Sequence, residues 1–172
     1  KEAYVENGQK MVKFLEDLGM KWVAGSLYPD YYPEQPGGKI GRSIEGEIFD
    51  SNLLGDYAKS ICAGELEAPM PLYSGSVASL PKAFTNAKDF NTVVGMFFNG
   101  FKRKVKGQKA ISIGAGLVSR LLQIALDKKV PLRLSTPLKD LIIENGQIIG
   151  IEVEKDHQPY FIKCKGVILA GG

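Results

Sequence analysis

The sequence predicts an α+β (α/β) fold, in which helices and long loops precede a three-stranded antiparallel β-meander. Three observations carry that expectation. Apolar residues recur at helical spacing near positions 11–18, 88–104 and 117–128. Two alternating apolar runs, 138–144 and 147–154, flank Asn145-Gly146, a dipeptide that favours a tight hairpin. Two other stretches, 24–46 and 63–81, are rich in Gly and Pro and show neither period. The 172 residues read as a single domain, with helices and loops over 1–107 and a helix plus the meander over 108–172.

The elements follow in order. Met11, Val12, Leu15 and Leu18 share one helical face, and Gly19 is placed to end that helix. Residues 20–23 read as a short strand. The loop 24–46 carries Tyr28, Tyr31, Tyr32 and Arg42. A loop that long inside a compact domain is usually functional when ordered. Residues 51–61 read as a short helix. A longer helix over 88–104 carries Phe90, Val94, Phe97, Phe98 and Phe101, with Gly95 and Gly100 as weak points. Leu117, Leu121, Leu122, Ile124 and Ala125 make the apolar face of the helix 117–128. Strands are expected at 130–134, at 138–144, 147–154 and 159–164, and at 167–170, the last buried on both faces. The chain opens on Lys1 and closes on Gly171-Gly172 directly after that strand, as expected of an internal segment of a longer protein.

Composition excludes several classes. No apolar run is long enough to span a bilayer, and no signal-peptide pattern opens the chain. Cys62 and Cys164 belong to no metal-spacing motif, so no metal is expected and a cytoplasmic setting fits. His157 is the only histidine, and it lies in a polar turn. The formal net charge is +3. Lys102-Arg103-Lys104 and Lys106 form the one basic cluster. It reads as the solvated end of a helix, with nucleic acid or an anionic surface as the alternative partner.

Residues 109–117 resemble a strand entering a glycine turn and a helix. Dinucleotide sites use such glycines to seat a pyrophosphate on the helix N-terminus. Here Ser119 stands at the third glycine position, and Ser135-Thr136 ends the second strand with no acid for a ribose. The simpler expectation is a close glycine contact at the start of a packed helix.

Two blocks together resemble a family. The first is Tyr28-Pro29-Asp30-Tyr31-Tyr32-Pro33-Glu34-Gln35-Pro36-Gly37-Gly38 with Gly41-Arg42-Ser43. The second joins Gly114, Leu117-Val118-Ser119-Arg120-Leu121-Leu122, Thr136-Pro137-Leu138 and Ile168-Leu169-Ala170-Gly171-Gly172. Most of the chain resembles the FAD-dependent dehydrogenases of the fumarate reductase and succinate dehydrogenase flavoprotein superfamily. The tyrosine loop is most similar to the 3-ketosteroid Δ1-dehydrogenases. The resemblance implies the middle part of an FAD-binding (Rossmann-like) domain, without its N-terminal βαβ unit and without the capping domain. It also implies that the segment alone carries no FAD and is inactive. A flavin absorbance band surviving desalting would contradict that expectation.

The implied reaction removes two hydrogens from adjacent carbons of a ketosteroid-like hydrophobic ketone, one as a proton and one as a hydride to FAD. An electron acceptor then reoxidises the cofactor. By motif match Tyr31 is the catalytic-site tyrosine of the loop, supporting a basic tyrosine outside this segment. Packing of the loop is its alternative role. Tyr32 stands where that branch has histidine, and it and Arg42 are substrate-binding candidates. Arg42 has the fork to hold a carboxylate. Its alternative is a salt bridge to Glu34 or Glu45. Leu138, Ala170, Gly171 and Gly172 are the implied cofactor-binding positions, through backbone groups. The rival functions are a fumarate-reductase-like enzyme acting on a dicarboxylate and a non-catalytic binding module.

Overall fold

The computed structural model describes residues 2–62 and 70–171. The chain divides into two compact units, Lys1–Val130 and Pro131–Gly172.

The first unit opens with α1 (Glu2–Asp17). Its end follows from Gly19, whose φ of 94° is one that other residues seldom adopt. Gly19 N–H donates to the Glu16 carbonyl and Met20 N–H to the Leu15 carbonyl, so two otherwise orphaned carbonyls are satisfied. The expected apolar stripe is present but stays shallow, because no residue of α1 is buried. Next, β1 (Trp22–Ala24) pairs antiparallel with β2 (Ile44–Gly46), Trp22 opposite Gly46. The long loop therefore ends in a strand that its composition does not announce.

The short β3 (Phe49–Asp50) leads into a 3-10 helix, Ser51–Ser60, kinked at Gly55. The Asp50 carboxylate accepts from Asn52 N–H at 3.1 Å and from Lys109 N–H at 3.0 Å. One side chain thus caps the helix and ties it to the far end of the unit. Residues 63–69 of the expected irregular stretch lie outside the described residues. The rest contains only α2 (Ser74–Val77). Helix α3 (Ala87–Val105) is capped by Asn86, whose side chain accepts from Asp89 N–H at 2.8 Å. Gly95 and Gly100 do not interrupt it. Strand β4 (Ala110–Ile111) pairs antiparallel with β3, and α4 (Ile113–Asp127) follows. Helix α4 packs on β2, β3 and the 3-10 helix. The core comprises Met20, Phe49, Leu54, Leu72, Ala83 and Ile124, with Arg120 stacked 4.7 Å from the centre of the fully buried Phe49 ring.

The second unit is built on β5 (Leu138–Glu144), β6 (Gln147–Lys155) and β7 (Gln158–Lys163), antiparallel and in that order. Asn145 and Gly146 both have positive φ, 49° and 75°, the geometry that matches strand twist in a two-residue hairpin. Asp156 and His157 make the next turn the same way, at 52° and 62°. The lone histidine is therefore an exposed turn residue. Val153, opposite Leu138, is the buried centre of the sheet.

Two expected strands are corrected. Residues 130–133 have no β pairing and Leu134 opens a turn; Pro131 in the run has no N–H to donate. Residues 167–170 are also unpaired, and Ile168 and Leu169 are exposed rather than buried on both faces. Apolar runs form strands only where another backbone meets their N–H and C=O groups, and no described strand does so here. No helix among the described residues is long and apolar enough to cross a membrane.

Candidate functional site

The tyrosine loop is a closed structure rather than a free excursion. At its base Gly25 N–H donates to the Ser43 carbonyl at 2.8 Å, and Gly41 N–H donates to Tyr28 at 2.9 Å. A bridge joins Pro29 to Ile40, and Asp30 N–H donates to the Lys39 carbonyl at 3.0 Å. The Asp30 carboxylate then does two things. It accepts from Lys39 N–H at 2.9 Å, and it takes the fork of Arg42 through Nε at 3.4 Å and through a second guanidinium nitrogen. The Arg42 hydrogen bond and, after it, the Lys39 amide hold the Asp30 carboxyl below the usual carboxylate range.

This corrects the expected salt bridge of Arg42, whose partner is Asp30 and not Glu34 or Glu45. Glu45 is used elsewhere: its carboxylate accepts from Ser74 N–H at 2.9 Å and from Ser74 Oγ at 2.9 Å, tying β2 to the start of α2. Asp30 stands in the tyrosine motif, but the sequence assigns it no role. The signal for it was an acid beside Pro29, in a loop whose Gly41-Arg42 returns to the same point.

Beyond this brace lies the loop tip. Gln35 N–H donates to the Tyr32 carbonyl and Gly38 N–H to Gln35, so the tip is two successive turns. Tyr31 is 92 % exposed and Tyr32 70 %. Neither ring is buried among the described residues. Tyr31, Tyr32 and Arg42 thus share one braced loop. Next to its base an open cleft of about 630 Å³ is lined by Ala24, Ser26, Leu27, Tyr73, Ser76 and Asp89, among others.

The glycines at 114 and 116 sit inside α4, not in a turn before it. The preceding strand pairs antiparallel with β3. A Cβ on Gly116 would stand 3.2 Å from the Ile111 carbonyl oxygen, so this glycine permits a close contact at the start of a packed helix.

In the second unit Leu138 is the first residue of β5 and is 40 % exposed. Ala170 and Gly171 are exposed and free of strand pairing, and nothing lies within 4 Å of where a Cβ on Gly171 would be. Gly172 lies outside the described residues. Among the described residues no group of His, Cys, Asp and Glu is arranged to hold a metal.

Comparison with known proteins adds three findings. The model of a family described as FAD binding domain matches residues 1–172. The chain is 31% identical over 183 residues to a 3-oxosteroid 1-dehydrogenase of Mycolicibacterium smegmatis, and 28% identical over 186 residues to one of Comamonas testosteroni. Each alignment covers 99% of this chain but only 32% of the relative, so the chain spans about a third of the curated relatives it matches. The crystal structure of a 3-ketosteroid delta1-dehydrogenase from Sterolibacterium denitrificans, in complex with 1,4-androstadiene-3,17-dione, is similar with a TM-score of 0.74 at 26% identity. That likeness covers 94% of this chain and 31% of the other.

Proposed function

This chain belongs to the FAD binding domain family, and from that premise we propose that it is the middle part of the FAD-binding domain of a flavin-dependent oxidoreductase that dehydrogenates a ketosteroid-like hydrophobic ketone. The N-terminal βαβ unit and the capping domain would be supplied by other parts of the natural protein. Two hydrogens leave adjacent carbons of the substrate, one as a proton and one as a hydride, and a carbon–carbon double bond conjugated to the ketone remains. Bound FAD supplies the hydride acceptor, and an electron acceptor later takes the pair of electrons.

The residues of this chain have narrower tasks. The backbone at Leu138, Ala170, Gly171 and Gly172 would hold the cofactor. Tyr31 would donate a hydrogen bond that steadies the group removing the proton, itself outside this segment. Tyr32 would line the apolar substrate. Arg42 acts through Asp30 and fixes the tip that carries both tyrosines.

One observation carries the reading: Tyr31 is presented almost fully exposed from a loop braced on the residues behind it. Exposed aromatic rings on an ordered loop suit a large apolar substrate better than a dicarboxylate. A dicarboxylate needs free cations, and the fork of Arg42 is already engaged by Asp30.

The test is an anaerobic titration of the natural full-length protein with a 3-ketosteroid, followed in the visible spectrum. Bleaching of a flavin band is expected. A flavin band that does not bleach would move the substrate to a dicarboxylate or another enone, and a protein without flavin would sink the reading.

A further inference from the structure

Both ends of the tyrosine loop converge on the first turn of α2. At the exit, Glu45 stands opposite Val23 in the pairing of β2 with β1, and its side chain is half-buried. Both of its carboxylate oxygens accept from Ser74 N–H, at 2.9 and 3.0 Å, and one also accepts from Ser74 Oγ at 2.9 Å. Hydrogen bonds to an ionised acceptor are the strong kind. At the entry, the next residue of α2 meets the loop backbone. A Cβ on Gly75 would stand 3.6 Å from Gly25 Cα and 3.6 Å from the Ser26 nitrogen. Entry and exit also meet each other, through the Gly25 to Ser43 hydrogen bond and the close approach of Gly41 to Ser26.

The turn that receives them is itself anchored. Leu72, two residues before Ser74, is buried, and its N–H donates to Ser112 Oγ at 3.2 Å. Ser112 is the N-cap residue of α4, the helix that packs on β2, β3 and the 3-10 helix. Short contacts therefore run from α4 through α2 to both ends of the loop, and on through the Asp30 brace to the tip that carries Tyr31. Each of them joins described residues of the first unit, so none depends on what covers that unit in the natural protein.

We propose that Glu45 is a positioning residue for the dehydrogenation: by clasping Ser74 it fixes the base of the loop and so the place at which Tyr31 is presented. The inference rests on the role proposed for Tyr31. Glu45 acts only through that tyrosine. A misplacement of about 1 Å caused by a change away from the reacting atoms costs on the order of 100-fold in rate. A clasp that served stability alone would lower Tm and would slow the reaction equally whether or not Tyr31 kept its hydroxyl.

The test is the rate of flavin bleaching when the natural full-length protein is mixed anaerobically with saturating 3-ketosteroid. Glu45→Ala should bleach about tenfold more slowly or worse, with the half-saturating steroid concentration nearly unchanged. Glu45→Gln keeps an acceptor for Ser74 N–H and should recover most of the loss. In a Tyr31→Phe background, Glu45→Ala should add little further slowing, because both changes remove the same contribution. Equal slowing in the two backgrounds overturns the proposal, as does a wild-type rate in Glu45→Ala. If Glu45→Ala does not fold, Ser74→Ala, which loses only the hydroxyl bond, replaces it in the same cycle under the same criteria. A wild-type flavin band that does not bleach overturns the dehydrogenase reading and this proposal with it. Normal wild-type bleaching with an unaffected Glu45 variant overturns the proposal alone.

Discussion

Two glycines in the tyrosine loop allow its closure to be measured. Gly37 and Gly41 have similar φ values, 89° and 80°, so replacing either with Ala incurs a similar left-handed backbone cost of about 1–2 kcal/mol. Their surroundings differ. Nothing lies within 4 Å of a Cβ on Gly37, whereas a Cβ on Gly41 would stand 2.8 Å from the Ser26 carbonyl oxygen. Backbone cannot move aside as a flexible side chain can, so overpacking adds about 1–3 kcal/mol at Gly41 alone. The torsional part cancels in the comparison. Lys39 and Arg42 make the loop a trypsin substrate when it opens, and the nicking rate follows the open population when reclosing is fast. Gly41→Ala in the full-length protein should therefore be nicked roughly 5- to 150-fold faster than Gly37→Ala. Equal nicking of the two variants would refute the argument that the Gly41–Ser26 approach holds the loop shut.

Three further outcomes are expected. Tyr31→Phe in the full-length enzyme should lower kcat about tenfold or more and leave KM and Tm nearly unchanged, because the ring is 92 % exposed and only its hydroxyl is removed; unchanged kcat would remove Tyr31 from the mechanism. The folded-state pKa of Asp30 is depressed, so the stability from its brace is complete above the ordinary value of 3.8 and is lost as pH falls through the depressed value. A carboxyl-carbon NMR titration should place its midpoint below 3.8, and Arg42→Ala should raise it. Lys129 holds φ at 56° just past α4, where its N–H donates to Leu126 and Val130 N–H donates to Ala125. Lys129→Gly should stabilise the protein by up to about 1 kcal/mol in thermal melts, the left-handed strain relieved less the extra chain entropy of glycine. A lower Tm would contradict this.

That last pair of residues explains what the sequence could and could not reveal. Helices α1 and α4 end in the same hydrogen-bond pattern, but one ends on Gly19 and the other on Lys129. Only the glycine announces itself. Asn145-Gly146 likewise declares its turn, while Asp156-His157 makes the same turn with residues that merely tolerate it. Local geometry is legible where a residue type is nearly obligatory. Partnership is not. The apolar runs at 130–134 and 167–170 have strand composition, yet their pairing depends on a neighbour their own residues cannot specify. Asp50 reaches Lys109 across 59 positions, and no local pattern foretells that contact. The candidate site divides along the same line. The tyrosines and Arg42 are visible as a composition, and their likeness to a family is carried by motif. The brace that makes them a site is Asp30, chosen by the return of the chain at Pro29 and Ile40. A loop with the same tyrosines but no acid at position 30 would keep the aromatic composition and lose the brace to Lys39 and Arg42 behind Tyr31.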